Sequence, residues 1–156
     1  MTDPLFDLSN KTALITGGSR GLGYEMAKAF AQRGANIIIA SRKLDACEAV
    51  AAELKSHGVK TLGLAAHCGR WDDIDRLIED SFMAFGRIDI LVNNAGMGPA
   101  QPSADVTEQL FDSVLNLNFK GPFRLASQIG KRMFDGQGGS IINISSIASL
   151  EPMPNV

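Results

Sequence analysis

The sequence is short of the residues that build metal sites, disulfide frameworks and membrane spans. Its 156 residues include two cysteines and two histidines. Cys47 and Cys68 form no framework pattern, which favours a reducing, cytoplasmic location. His57 and His67 are too few and too far apart for a typical zinc site, so we expect no metal. No apolar run is long enough to cross a bilayer, and residues 1–10 lack the basic and apolar segments of a signal peptide.

An excess of charge of one sign is also missing. The formal net charge is −2, which gives no electrostatic reason to expect binding to nucleic acid or to an anionic membrane. Hydrophobic residues make up 45% of the chain and charged residues 21%, as in an ordinary globular protein. A chain of this length can bury one core, so we expect a single domain over residues 1–156.

Short apolar segments alternate with amphipathic ones along the chain. The apolar segments are bounded by Gly, Asn or Ser, as is typical of strands buried on both faces. The predicted strands are residues 12–16, 36–40, 61–66, 88–92 and 140–144, and the predicted helices are 24–30, 43–56, 72–85 and 107–134. This order predicts an α/β fold, a doubly wound parallel sheet of Rossmann type with helices on both faces. Ligands bind such sheets at the carboxyl ends of the strands.

The longest predicted helix, residues 107–134, carries two internal signals. Thr107 is placed to cap its start, although Leu110 stands where a capping box prefers Glu. Pro122 is expected to bend the helix.

A glycine-rich turn joins the first predicted strand to the first helix. Residues 16–23 read Thr-Gly-Gly-Ser-Arg-Gly-Leu-Gly. Free backbone N–H groups and the positive end of a helix dipole meet at such a turn and suit a phosphate. Glycine also permits a positive φ and the close approach of a ligand. The spacing differs from G-x-G-x-x-G, and a tight strand–helix turn needs glycine too, so a purely structural turn is the alternative.

Cations follow the second predicted strand, where an acidic residue would bind the ribose 2′-hydroxyl of NAD. The sequence there is Ser41-Arg42-Lys43. An arginine at this place pairs with a 2′-phosphate through a bidentate charged contact, and Arg20 in the glycine turn adds a second cation. The segment favours NADP(H) over NAD(H). A solvated helix start is the alternative.

The fourth and fifth predicted strands end in polar residues. Asn93-Asn94-Ala95-Gly96 follows the fourth, and its small residues would let a flat ring pass. The fifth ends in Asn143-Ile144-Ser145-Ser146, where a serine is well placed to bond a substrate oxygen. A single loop serine also satisfies its own backbone, so this motif is not decisive alone.

Together these motifs resemble the short-chain dehydrogenase/reductase family. The matching segments are 16–23, 93–96, 118–121 and 139–146, in the family's order and spacing. The resemblance implies hydride transfer between NADP(H) and a small-molecule ketone or secondary alcohol, and the Ser-Arg sequences resemble NADP-preferring members. It also implies a homo-oligomer in which the helix 107–134 packs between subunits. The competing class is a catalytically inactive nucleotide-binding module.

The resemblance implies roles residue by residue. Ser146 matches the serine that polarises the substrate carbonyl. Asn118 matches the asparagine that holds a water in the proton relay. The residues implied to hold the cofactor are Gly17, Ser19, Arg20, Gly21, Leu22, Gly23, Ser41, Arg42, Cys68, Gly69, Asn94, Ala95 and Gly96.

The chain departs from the family pattern in two places. Gly69 occupies the place of the Asp that reaches the adenine amino group, so adenine recognition is expected to use backbone groups, or Asp72 or Asp73. The family's Tyr-x-x-x-Lys pair is missing, since Tyr24 in the first helix is the only tyrosine. We therefore expect the pair beyond Val156, in a longer chain truncated here after the fifth strand, and expect this portion alone to be inactive.

Overall fold

A five-stranded parallel sheet forms the centre of the protein. The structure is a computed structural model that describes residues 4–151. The strands are β1 (Thr12–Thr16), β2 (Asn36–Ser41), β3 (Thr61–Ala65), β4 (Ile90–Asn93) and β5 (Ser140–Asn143). The α-helices are α1 (Gly21–Gln32), α2 (Leu44–Leu54), α3 (Trp71–Phe85), α4 (Glu108–Leu115) and α5 (Gly121–Phe134). The predicted doubly wound α/β fold is confirmed.

The order of the strands places a reversal at the centre of the sheet. The strands lie side by side as β3-β2-β1-β4-β5. Strands β2 and β3 follow β1 on one side of it, and the chain then crosses over to form β4 and β5 on the other side. In sheets of this kind, ligands bind beside the reversal at the carboxyl ends of the strands. The glycine turn after β1 and the segment 93–96 after β4 both lie at that point.

The two faces of the sheet are covered by separate apolar clusters. Leu14 of β1 packs with residues of α3 and α5. Its neighbours Ala13 and Ile15 pack with residues of α1 and α2 on the other face. Successive side chains of a strand point to opposite faces, so a strand covered on both sides must be apolar throughout. This explains why β1 and β2 have no polar alternation.

The predicted fourth strand begins two residues too early. Residues 88–89 precede β4, although the Asp89 backbone already bonds to Thr12 and Ser140 of the flanking strands, and its side chain lies at the amino edge of the sheet. Its Oδ2 accepts a hydrogen bond from Thr12 N at 2.9 Å, and its other oxygen pairs with Arg87. Asp89 is buried, and these donors offset the cost of burying its charge.

The predicted helix 107–134 is interrupted. Thr107 caps α4 as expected, since its Oγ1 accepts from Leu110 N at 3.2 Å. A π-helical turn, Asn116–Lys120, separates α4 from α5. Pro122 lies in the first turn of α5, where it has no N–H to donate to the Asn118 carbonyl four residues earlier. The expected bend at Pro122 takes the form of this wider turn just before it.

The fifth strand forms an edge of the sheet, as expected. All four residues of β5 are exposed, whereas all five of β1 are buried. Among residues 4–151, no helix is long and apolar enough to cross a membrane. In the same part of the chain, no group of three or more His, Cys, Asp or Glu side chains could hold a metal ion.

Candidate functional site

The glycine turn leaves the start of α1 open to an anion. Gly17 and Gly21 have φ values of 64° and 56°, in the left-handed region that favours glycine. Arg20 precedes the helix with an extended backbone, and its side chain makes no capping hydrogen bond. The N–H groups of a first helical turn have no partner within the helix, and the helix dipole adds partial positive charge there. This end of α1 therefore suits a phosphate.

Space around the turn differs from one glycine to the next. A Cβ at Gly23 would lie 2.4 Å from the Gly17 carbonyl oxygen and 2.6 Å from Asn94 Nδ2. A Cβ at Gly21 would meet no atom within 4 Å. A purely structural turn accounts for the tight packing at Gly23. The uncapped helix start beside open space at Gly21 is what a bound phosphate needs.

Thr16 holds the two central loops together. Its side chain is buried, and its Oγ1 donates to the Val92 carbonyl at 3.2 Å. The same oxygen accepts hydrogen bonds from Asn94 N at 3.0 Å and Ala95 N at 3.1 Å. One hydroxyl thus fixes the segment after β4 against the end of β1. The sequence analysis did not assign Thr16 a role; its only signal was a threonine directly before the first glycine.

Asn94 braces the glycine turn. Its Nδ2 donates to the Thr16 carbonyl at 2.9 Å and to the Gly17 carbonyl at 3.2 Å. The Asn94 Nδ2 group thus donates within the protein. In this segment, Ala95 and Gly96 are therefore the residues that face a ligand. Next to it, Asn93 Nδ2 donates to Asn143 Oδ1 at 2.9 Å and links β4 to β5. Asn93 Oδ1 is buried without a partner in residues 4–151.

Replacing Thr16 with valine is expected to lower the free energy of unfolding by about 2 kcal/mol, since it removes one buried donor and leaves two partly buried N–H groups without an acceptor. Thr16→Ser keeps the hydroxyl and should cost about 1 kcal/mol for the lost methyl group. Urea unfolding of the three proteins tests this. Equal stability of the valine and serine variants would show that the hydroxyl does not hold the loops.

Two free cations lie beside the glycine turn. Gly17 N donates to the Ala40 carbonyl at 2.8 Å, which ties the turn to the end of β2. Arg20 and Arg42 follow these neighbouring strands, and both are exposed. Neither guanidinium has a hydrogen-bond or ion-pair partner within the described part of the chain. Their charge is thus unneutralised at the corner where a 2′-phosphate is predicted.

The loop after β3 is held by its own polar groups. His67 N donates to Asp73 Oδ2 at 3.1 Å, and Gly69 N donates to His67 Nδ1 at 3.1 Å. Cys68 is buried, and burial raises the pKa of its thiol to about 12. A Cβ at Gly121 would lie 1.8 Å from the Cys68 carbonyl oxygen, so α5 begins directly against this loop. Asp73 is committed to the loop, which leaves backbone groups or the exposed Asp72 for adenine.

Asn118 anchors the π-helical turn to the segment after β4. Its Oδ1 accepts from Met97 N at 2.9 Å, and its Nδ2 donates to the Met97 carbonyl at 2.6 Å. The side-chain amide is thus used within the protein. The Asn118 carbonyl lacks its regular helical donor because that donor would come from Pro122.

Ser146 lies in the loop after β5 and is exposed. Its Oγ accepts from Ala148 N at 3.2 Å, so the hydroxyl proton stays available to an incoming oxygen atom. The neighbouring Ser145 hydroxyl instead donates to Ser149 Oγ at 3.4 Å.

Tyr24 packs between α1 and α2. Its hydroxyl donates to Glu53 Oε1 at 2.5 Å, and this hydrogen bond raises the pKa of the phenol. The ring also packs against the apolar cluster under α1 and α2. Tyr24 is thus a packing residue, as predicted. It lies in α1 after β1, whereas Ser146 lies in the loop after β5.

The predicted site residues meet at one edge of the sheet. Hydrogen bonds join the glycine turn and Thr16 to the end of β2 and to Asn94 and Ala95 after β4. Arg20 and Arg42 follow β1 and β2 at this edge. Ser146 follows β5 at the same edge, and Asn118 reaches it through Met97. Thr16 is the member of this group to which the sequence assigned no individual role.

Comparison with known proteins gives consistent matches. A sequence model of the short chain dehydrogenase family matches residues 11–156. Dehydrogenase/reductase SDR family member 4 of Homo sapiens is 36% identical over 148 residues, which cover 94% of this chain and 53% of that protein. The 3-oxoacyl-[acyl-carrier-protein] reductase FabG of Staphylococcus epidermidis is 36% identical over 140 residues, 88% of this chain and 57% of that protein. The chain thus spans about half the length of these curated relatives.

Solved structures share the fold. A metagenomic short-chain oxidoreductase in complex with NADP has a TM-score of 0.90 at 32% identity, covering 95% of this chain and 67% of that one. L-Sorbose reductase from Gluconobacter frateurii, complexed with NADPH and L-sorbose, has a TM-score of 0.92 at 33% identity, covering 95% and 57%. NAD⁺-bound xylitol dehydrogenase has a TM-score of 0.88 at 27% identity, covering 94% and 57%.

Proposed function

Since the chain belongs to the short-chain dehydrogenase/reductase family, we propose that residues 1–156 form the dinucleotide-binding domain of an oxidoreductase that transfers hydride between NADP(H) and a ketone or secondary alcohol. The observation that carries this proposal is the uncapped start of α1 beside the unneutralised Arg20 and Arg42. A phosphate-bearing dinucleotide supplies the negative charge that this corner lacks.

The residues fit the cofactor in four groups. The glycine turn (Gly17, Ser19, Arg20, Gly21, Leu22 and Gly23) holds the pyrophosphate. Ser41 and Arg42, with Arg20, hold the 2′-phosphate. Ala95 and Gly96, positioned by Asn94, flank the ribose on the nicotinamide side, while Cys68 and Gly69 contribute backbone groups near adenine. Relatives of known structure bind either NADP(H) or NAD⁺, so the preference rests on this chain's own cations.

The cofactor, when bound, supplies the hydride donor or acceptor. Ser146 donates its hydroxyl proton to the substrate oxygen and polarises the carbonyl. Asn118 supports a water in the proton relay through its carbonyl, while its amide holds the loop at Met97. We propose that a Tyr and Lys outside these 156 residues supply the proton, and that this portion alone is inactive.

Replacing Arg42 with alanine is expected to weaken NADPH binding by about 10- to 100-fold, since a hydrogen bond to a charged group contributes about 1.5–3 kcal/mol. NADH affinity should change by less than about twofold, because NADH has no 2′-phosphate. Isothermal titration calorimetry measures both. Lys60→Ala, which removes the same charge from the amino edge of the sheet at the start of β3, is the control. Equal losses for NADPH and NADH would contradict the 2′-phosphate assignment.

We also propose that the protein is a homo-oligomer. A row of exposed apolar side chains runs along α4, the π-helical turn and α5 at four-residue spacing: Phe111, Leu115, Phe119 and Phe123. Monomers rarely expose a contiguous apolar patch of this kind. Sedimentation velocity tests the assembly, and a monomer at all concentrations would contradict it.

The cytoplasmic location remains a prediction from the sequence.

The second candidate is a catalytically inactive nucleotide-binding module. It is favoured by the position of Tyr24, which is bound to Glu53 on α2 and leaves the described residues without a tyrosine near Ser146. NADPH oxidation by the full-length protein with a panel of ketones separates the two. Turnover supports the oxidoreductase, and binding without turnover on any carbonyl supports the module.

A further inference from the structure

The Ser41 hydroxyl is contacted by a buried thiol. Cys47, in the first turn of α2, is fully buried, and its Sγ lies 3.0 Å from Ser41 Oγ. The same hydroxyl donates a hydrogen bond to the Lys43 carbonyl at 3.4 Å. The backbone of Ser41 is fixed independently, because Ala66 N donates to its carbonyl at 2.8 Å. Because the Ser41 proton lies on the Lys43 side, the thiol is the donor in the shorter contact, and the two contacts together set where this hydroxyl points.

Close packing of α2 on the sheet fixes the thiol. A Cβ at Gly63 of β3 would lie 2.5 Å from the carbonyl carbon of Cys47 and 2.7 Å from its oxygen. The backbone of α2 thus rests directly on β3. Interiors packed this closely leave a side chain little freedom to shift. The distance between Cys47 Sγ and Ser41 Oγ is a consequence of this contact.

We propose that Cys47 is a positioning residue for recognition of the 2′-phosphate: its thiol donates to Ser41 Oγ, so that Ser41 can donate its proton to the phosphate. The inference rests on the proposed NADP(H) site. A serine hydroxyl has one proton and two lone pairs. A phosphate dianion only accepts, so Ser41 must donate to it, and the lone pairs of its oxygen are then free to accept from the thiol. Burial raises the pKa of the Cys47 thiol, which keeps the donor proton on sulfur at neutral pH.

The effect should be selective for the phosphate. The 2′-hydroxyl of NAD(H) can donate as well as accept, so Ser41 can bind it with its proton in either direction. Loss of the thiol should thus weaken ligands that carry a 2′-phosphate and leave the others unchanged. A merely structural role of Cys47 would weaken both kinds equally.

The test compares 2′,5′-ADP with 5′-AMP, which probe the adenosine corner without any catalytic step. Cys47→Ala is expected to weaken 2′,5′-ADP binding about 3- to 10-fold, the range of one neutral hydrogen bond, with 5′-AMP changed by less than about twofold. Cys47→Ser keeps a donor of similar size and should retain the wild-type ratio. Val50→Ala removes buried volume from the same helix away from Ser41, and should lower stability without changing the ratio.

A double-mutant cycle with Ser41→Ala completes the test by calorimetry. If Cys47 acts through Ser41, Cys47→Ala has no further effect on 2′,5′-ADP binding once Ser41 is alanine. An unchanged preference in Cys47→Ala, an equal loss for both ligands, or a loss that persists in the Ser41→Ala background overturns this inference alone. A wild-type protein without any preference for 2′,5′-ADP overturns the NADP(H) site as well.

Discussion

Replacing Ser146 with alanine is expected to lower kcat of the full-length protein by about 100- to 1,000-fold, the usual effect of removing one hydrogen-bond donor to a developing oxyanion. The Ser146 Oγ accepts a hydrogen bond from Ala148 N, which turns its proton away from the loop. We propose that the Ser146 hydroxyl is the group in this loop that donates a hydrogen bond to the substrate oxygen. NADPH affinity should stay within about twofold of wild type, because this hydroxyl acts on the substrate.

Ser145 provides the matched control. It is the adjacent serine in the same loop, but its hydroxyl donates to Ser149 Oγ. Ser145→Ala should therefore change kcat by less than about threefold, the scale of one weak exposed hydrogen bond. Initial rates of NADPH oxidation with a ketone substrate measure both variants. Equal losses in the two variants would show that the loop, and not the Ser146 hydroxyl, sets the rate.

Gly23→Ala should have the largest effect on binding. Its Cβ would lie 2.4 Å from the Gly17 carbonyl oxygen and 2.6 Å from Asn94 Nδ2, which already bond to each other. The turn must move, so we expect the free energy of unfolding to fall by about 3 kcal/mol, at the upper end for overpacking. We expect NADPH affinity to fall by at least about 100-fold, because a displacement of about 1 Å misplaces the phosphate contacts.

Gly130→Ala is the control for a glycine replaced inside a helix. Its Cβ would meet only the end of the flexible Ile141 side chain, at 3.3 Å. Alanine forms helix better than glycine by about 1 kcal/mol, so this variant should be neutral or slightly stabilised. Chemical unfolding and NADPH titration measure both. Wild-type stability and affinity of Gly23→Ala would contradict the close packing of the turn on α1.

The fold could be predicted from the sequence because its signals are local. Apolar segments such as Leu14–Ile15 stop at glycine or asparagine, and the periodicity changes between strands and helices. The boundaries of most elements shifted by one or two residues, as at the start of β4. Pro122 predicts a bend in the helix because it has no N–H to donate. The sequence does not show how the backbone accommodates the missing hydrogen bond, which it does with the π-helical turn at residues 116–120.

The site could be predicted as a set of motifs, but its connections could not. Each motif follows a strand, and the parallel sheet brings the ends of those strands to one edge. The hydrogen bonds that Asn94 N and Ala95 N donate to Thr16 Oγ1 join residues almost eighty positions apart, and no local pattern marks such pairs. The sequence shows Cys47 only as one of two cysteines without a framework pattern. Its contact with Ser41 follows from how α2 sits on β3, which only the packing shows.

The central claim is that the corner between β1 and β2 is built for NADP(H). Titration of the wild-type protein with NADPH and with NADH, followed by the fluorescence of Trp71, its only tryptophan, tests this most directly. Trp71 begins α3, just after the loop proposed to lie near adenine. We expect NADPH to bind at least about tenfold more tightly than NADH, a difference of about 1.4 kcal/mol. Tighter binding of NADH, or no saturable binding of either dinucleotide, would contradict the account.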